Sequence, residues 1–108
     1  MSPSSGRIRE MDSFQIPAYK IVEDKIKNIS AKTIIERVEY DSTCMTYKFH
    51  LSMNNKRCDV LFSEEFLDDL NDFNGSKDSS YWQEKEQVLT EALKVAVSKM
   101  IDDNHPKQ

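Results

Sequence analysis

Between Met45 and Met53 every odd-numbered residue is apolar and every even-numbered one is polar. Met45, Tyr47, Phe49, Leu51 and Met53 alternate with Thr46, Lys48, His50 and Ser52. A helix would scatter that order around its circumference. A strand sends successive side chains to opposite faces, so this segment acquires one apolar and one polar face. The chain must therefore build a sheet that is covered on one side and solvated on the other.

The flanking residues supply partners for that strand. Asn54-Asn55 tolerate positive φ and suit a two-residue type I′ turn. With those residues at the tip, Leu51 faces Cys58, Phe49 faces Val60, Tyr47 faces Phe62, and His50 faces Asp59. Apolar meets apolar in the first three pairs, and a slip of one residue would turn the apolar set toward water. Upstream, residues 33–40 are rich in β-branched and aromatic side chains, which predicts another strand. Ile34, Val38 and Tyr40 share one face of it, with Glu36 as the odd member. If Ser42-Thr43 forms a two-residue turn, Arg37 stands opposite Lys48, a like-charge pair that costs stability and would mark an anion-binding patch.

Helices are expected on either side of the strands. Pro17 suits a first helical turn, and Val22, Ile26 and Ile29 form one helical face over residues 17–29. Ser63 is a favoured N-cap, followed by Glu64-Glu65 at the positive end of the helix dipole. Phe66, Leu67, Leu70 and Phe73 form the stripe of that helix, and Asn74-Gly75 suits its end. Ser80 with Gln83 forms a capping box for a last helix, which runs to about residue 102. Its stripe is Leu89, Ala92, Leu93, Ala96, Val97 and Met100. The expected fold is α+β: a three-stranded antiparallel β-meander with helices packed on one face, in the order α-β-β-β-α-α. Residues 13–103 form a single domain, 1–12 a disordered N-terminal tail and 104–108 a frayed C-terminal tail.

Charge narrows the function. The net charge is −4, and residues 63–108 carry 11 acidic against 5 basic side chains. That half repels phosphate and anionic lipid. Residues 1–12 hold no apolar core of a secretory signal and no apolar run is long enough to span a bilayer, so the expected location is cytoplasmic, without membrane contact. Cys44 and Cys58 are not expected to pair, because the proposed register sets them far apart.

Catalytic and metal chemistry lack their constellations. Cys44, His50, Cys58 and His105 are not spaced as zinc ligands. Asp72–Asp78 fits a calcium loop in neither register, since the obligatory carboxylate or glycine is missing each time. Gly6 and Gly75 are the only glycines, so no phosphate-cradling loop exists. No enzyme activity and no cofactor are expected.

Two binding surfaces remain. Glu64, Glu65, Asp68, Asp69 and Asp72 form an acidic helical run able to dock a basic partner protein. The outer sheet face carries Arg37, Lys48, His50 and Arg57 among Glu39, Thr46, Asp59, Ile35 and Leu61. Together with Lys56, and with Lys25 and Lys27 nearby, these basic residues could hold an anion. The expected function is a non-catalytic protein-interaction module, with a protein partner or a homodimer as its complement. The alternative is a nucleic-acid or anion-binding domain using the basic outer sheet face. The order α-β-β-β-α over residues 17–73 resembles in topology the double-stranded-RNA-binding domain. That resemblance implies a basic cluster at the start of the post-sheet helix. Ser63-Glu64-Glu65 stands there with the opposite sign, so nucleic acid is the disfavoured partner. The RNA-recognition motif stacks bases on sheet-face aromatics, whereas Tyr40, Tyr47, Phe49 and Phe62 fall on the core face.

Overall fold

In the computed structural model, residues 8–72 and 80–103 are described. A four-stranded antiparallel sheet runs in the order β1 (Ile8–Met11), β2 (Ile34–Asp41), β3 (Thr46–Met53) and β4 (Lys56–Ser63). Helices α1 (Tyr19–Ile29), α2 (Glu64–Asp72) and α3 (Ser80–Asp103) complete the α+β fold, and their apolar sides share one core with the inner sheet face.

The β3–β4 hairpin has the expected register. Leu51 pairs with Cys58, Phe49 with Val60, Tyr47 with Phe62 and His50 with Asp59. Phe49, Leu51, Tyr47 and Val60 are buried, as are Ile26, Leu70, Leu89 and Leu93 from the helices. Phe66 is only partly buried and stacks on Phe62, while Leu67 fills the helical position in the core. At the hairpin tip only Asn54 has a positive φ, of 57°. The turn therefore lacks the second left-handed residue that type I′ requires.

Three expectations about the sheet need correction. Residues 8–11 are not tail but the edge strand β1, paired with the end of β2. Four residues with three exposed positions carry no alternation to announce a strand. Residues 1–7 lie outside the described residues, as do 104–108, His105, Phe73, Asn74-Gly75 and most of the segment weighed as a calcium loop. Second, the β2–β3 connection holds four residues between Asp41 and Thr46, and Met45 sits in it at φ 53°. Arg37 consequently opposes His50, and Lys48 opposes Glu39, so the like-charge pair does not form. Third, a β-bulge falls between Ile35 and Arg37. It absorbs Glu36, which strict alternation would have placed among core residues, where an unpaired carboxylate is costly. Ile35 therefore turns inward and Ile34 outward, 57 % exposed.

Helix boundaries shift less. Pro17 precedes the N-cap of α1, which is Ala18 in a left-handed conformation at φ 59°. Its carbonyl accepts the first helical bond, from Val22 N–H at 3.0 Å. Helix α3 begins at Ser80 itself. Ser80 is thus already helical rather than the cap expected from the capping box, and the residues before it lie outside the described residues. Strand β4 enters α2 without a loop. Ser63 is the last ladder residue, and its Oγ accepts the Phe66 N–H at 3.1 Å. The Glu64 N–H still donates to the Met45 carbonyl at 2.9 Å.

Candidate functional site

The outer sheet face is a woven set of charges. His50 lies at its centre, with Nδ1 2.8 Å from Asp59 on β4 and Nε2 2.9 Å from Glu39 on β2. Both contacts are hydrogen bonds only when both ring nitrogens carry protons. The hydrogen bond from His50 holds the Glu39 carboxyl below the ordinary carboxylate range. The charges of His50, Arg37 and Lys48 act in the same direction against partial desolvation. Arg37 lies 3.7 Å from Glu39, and Arg57 lies 3.8 Å from Glu36. Lys56 does not join this group, because it pairs with Met53 and takes the parity of the helix-covered face. The face thus brings together Arg37, Lys48, His50 and Arg57, each beside an acid: Lys48 opposite Glu39 and the others in ion pairs.

That arrangement also limits chemistry. The two carboxylates approach opposite sides of the imidazole, so the three groups do not converge on one point where an ion could sit. Among the described residues no cluster of three His, Cys, Asp or Glu side chains has metal-binding geometry. Both imidazole nitrogens are occupied by carboxylates, leaving neither to activate a hydroxyl or thiol. Cys44 is exposed in the β2–β3 connection, Cys58 is half-buried on β4, and both are free thiols.

The acidic run on α2 divides into two groups. Glu64 accepts a hydrogen bond from the Tyr40 hydroxyl at 2.8 Å, which pushes the Tyr40 phenol up to about 12. Asp69 accepts from the Tyr81 hydroxyl at 3.0 Å and lies 3.5 Å from Lys85. These two acids fasten α2 to the sheet and to α3. Glu65, Asp68 and Asp72 stay exposed. Partial desolvation and the charges of Glu64, Asp72 and Asp69 push the Asp68 carboxyl up, as expected for crowded like charges.

Helix α3 presents a feature that was not singled out in the sequence. Tyr81, Val88 and Val95 recur every seven residues and are 43 %, 52 % and 53 % exposed. The opposite side of the helix sinks Trp82, Leu89, Leu93, Ala96, Val97 and Met100 into the core or its margin. Alpha-helical geometry keeps residues seven apart within about 20° of one another, so the three form one stripe. No family model, no curated protein and no solved structure matches the chain. Function must be read from these surfaces alone.

The spacing that would have revealed the stripe is present in the sequence. It is hidden because α3 carries a second, larger apolar set, in which Trp82, Leu89 and Ala96 each stand one residue past Tyr81, Val88 and Val95, and that set dominates any helical projection. Among the described residues, no helix is long and apolar enough to cross a membrane.

Proposed function

We propose that this chain is a non-catalytic protein-interaction module of the cytoplasm that binds another protein through the outward side of α3. The observation that carries the reading is the Tyr81–Val88–Val95 stripe. Single exposed apolar residues are ordinary on a protein surface, whereas an aligned series on the longest described helix offers apolar contact points repeated along one side. The exposed acids Glu65, Asp68 and Asp72 on the neighbouring helix would add attraction for basic groups at the rim of such a contact.

The competing reading, an anion or nucleic-acid site on the outer sheet, is weakened by the acids beside each basic residue there. A phosphate would have to displace Glu39, Asp59 or Glu36 from partners already in place. One experiment compares the two faces. A photo-crosslinking amino acid is placed at position 88 in one variant and at position 48 in another. The module reading expects protein adducts at position 88 and none at position 48. Nucleic-acid adducts at position 48, with no protein adduct at position 88, refute it.

A further inference from the structure

We propose that the partner on this face is a second copy of the same chain, packed antiparallel along α3 about a two-fold axis. This rests on the reading of α3 as the binding face and names its occupant. The argument comes from how charge is arranged around the stripe. Glu84 lies between Tyr81 and Val88 and Glu91 between Val88 and Val95, while Lys94 and Lys99 stand on either side of Val95 in the sequence. All four are exposed, and none forms an ion pair with another described residue. Lys85 differs, being drawn toward α2 by Asp69 and lying 5.1 Å from the centre of the Tyr81 ring.

Consider two copies of α3 related by an axis passing between Glu91 and Ala92. Val88 of each copy then meets Val95 of the other, and Glu84 of each meets Lys99 of the other. An isologous interface repeats every contact, so this one geometry yields two valine pairs and two ion pairs. Parallel pairing would set Glu84 against Glu84 and Lys99 against Lys99, which like-charge repulsion disfavours. Ala92, between Val88 and Val95, is partly buried against the core, and its small side chain lets the helices approach closely. The seven-residue spacing matches the left-handed crossing at about +20° in which such helices pack. Between Glu84 and Lys99, the two ends of the symmetric contact, the seam is about 22 Å long at 1.5 Å per residue. A contact of that length with two exposed valines per copy fits a reversible dimer.

Sedimentation equilibrium of the whole chain tests the proposal, with four variants: Glu84→Lys, Lys99→Glu, the double exchange, and Val88→Asp. The substituted positions are exposed, and circular dichroism verifies that each variant is folded. The wild type should associate reversibly to twice the chain mass at micromolar to millimolar concentration. Each single charge reversal should weaken the dimer by about tenfold, because it acts at two symmetric sites. The double exchange should restore it to within about threefold, and Val88→Asp should leave a monomer. A wild type that stays monomeric to about 1 mM overturns self-pairing, and so does a dimer indifferent to these substitutions. A dimer weakened by both single reversals but not restored by the double exchange overturns the antiparallel register. If the monomeric chain crosslinks at position 88 to a different protein, the interaction-module reading survives without self-pairing. If it crosslinks to nothing, both fail.

Discussion

Phe49→Ala tests the division of the sheet into two faces. Phe49 is fully buried, lying between Val38 on β2 and Val60 on β4. Its ring meets the Phe62 ring edge-on at 5.7 Å and stacks near Tyr19 at 6.4 Å. Truncating a buried Phe costs about 3–5 kcal/mol. Each aromatic pair is worth about 0.5–1.5 kcal/mol beyond area burial, so this site belongs in the upper part of that range. A domain of this size holds about 5–15 kcal/mol in total, so the variant should lose much of its stability. Phe49→Leu supplies a milder step, of about 1–2 kcal/mol, if the alanine variant does not fold. Lys48→Ala is the control, one residue away, exposed, and opposite Glu39. Losing one cross-strand pair costs about 0.2–1 kcal/mol. Urea melts followed by far-ultraviolet circular dichroism and by fluorescence of the buried Trp82 measure all three variants. A urea midpoint that falls by more than about 1 M for Phe49→Ala and by much less for Lys48→Ala agrees with the assigned faces. Equal losses for the two alanine variants would refute them.

Three further outcomes are expected. Glu39 titrates below its unfolded value in the native state, so the stability it contributes is present above about pH 4.5 and disappears as pH falls through its lowered native value. His50→Gln removes the main cause of that shift and should flatten stability against pH between roughly 5 and 3; a slope equal to wild type would contradict the network. The Lys25 Nζ lies 2.6 Å from Glu86 Oε2, part-buried between α1 and α3. A double-mutant cycle with Lys25→Met and Glu86→Gln should give a coupling of about 0.5–1.5 kcal/mol, and a coupling near zero would show that the pair does not join the helices. Cys44 should react with a thiol reagent well before Cys58 in the native protein, since it is the exposed one of the two; equal rates would place Cys44 wrongly.

What the sequence reveals depends on how much of each element answers to a local rule. The β3–β4 hairpin was legible because alternation and an Asn-Asn tip specify the same register independently. Strand β2 was legible as a strand but not in its faces. Glu36 marked the irregularity by standing at a core position, yet whether a chain buries such a residue with a partner or ejects it through a bulge is settled by the neighbouring strand. The length of the turn before β3 is masked in the sequence because Met45 continues the apolar alternation although its backbone belongs to the connection. Strand β1 has no pattern of its own and exists through pairing with β2. In the candidate sites, His50 beside Asp59 followed from the hairpin register. The approach of Glu39 to His50 needed the β2–β3 register, which hinged on the length of that turn. Lys56 was grouped with Arg57 as an exposed neighbour, but alternation separates the two onto opposite faces.

The junction at Ser63 makes the hairpin and α2 one cooperative unit. The same residue closes the strand ladder and caps the helix, and the Glu64 amide is still tied to the residue that leads into β3. No hinge lies between them where one could open while the other stayed intact. The described helix spans nine residues, and a helix of that length is too short to persist alone in water, so its survival depends on the hairpin that launches it. In hydrogen exchange, the amides of Glu64 and Phe66 should open together with the β3–β4 ladder and share its protection, as residues of one foldon do. A disturbance at the acidic surface of α2 would then be felt as strain along the central strands, since the two are cut from a continuous piece of backbone.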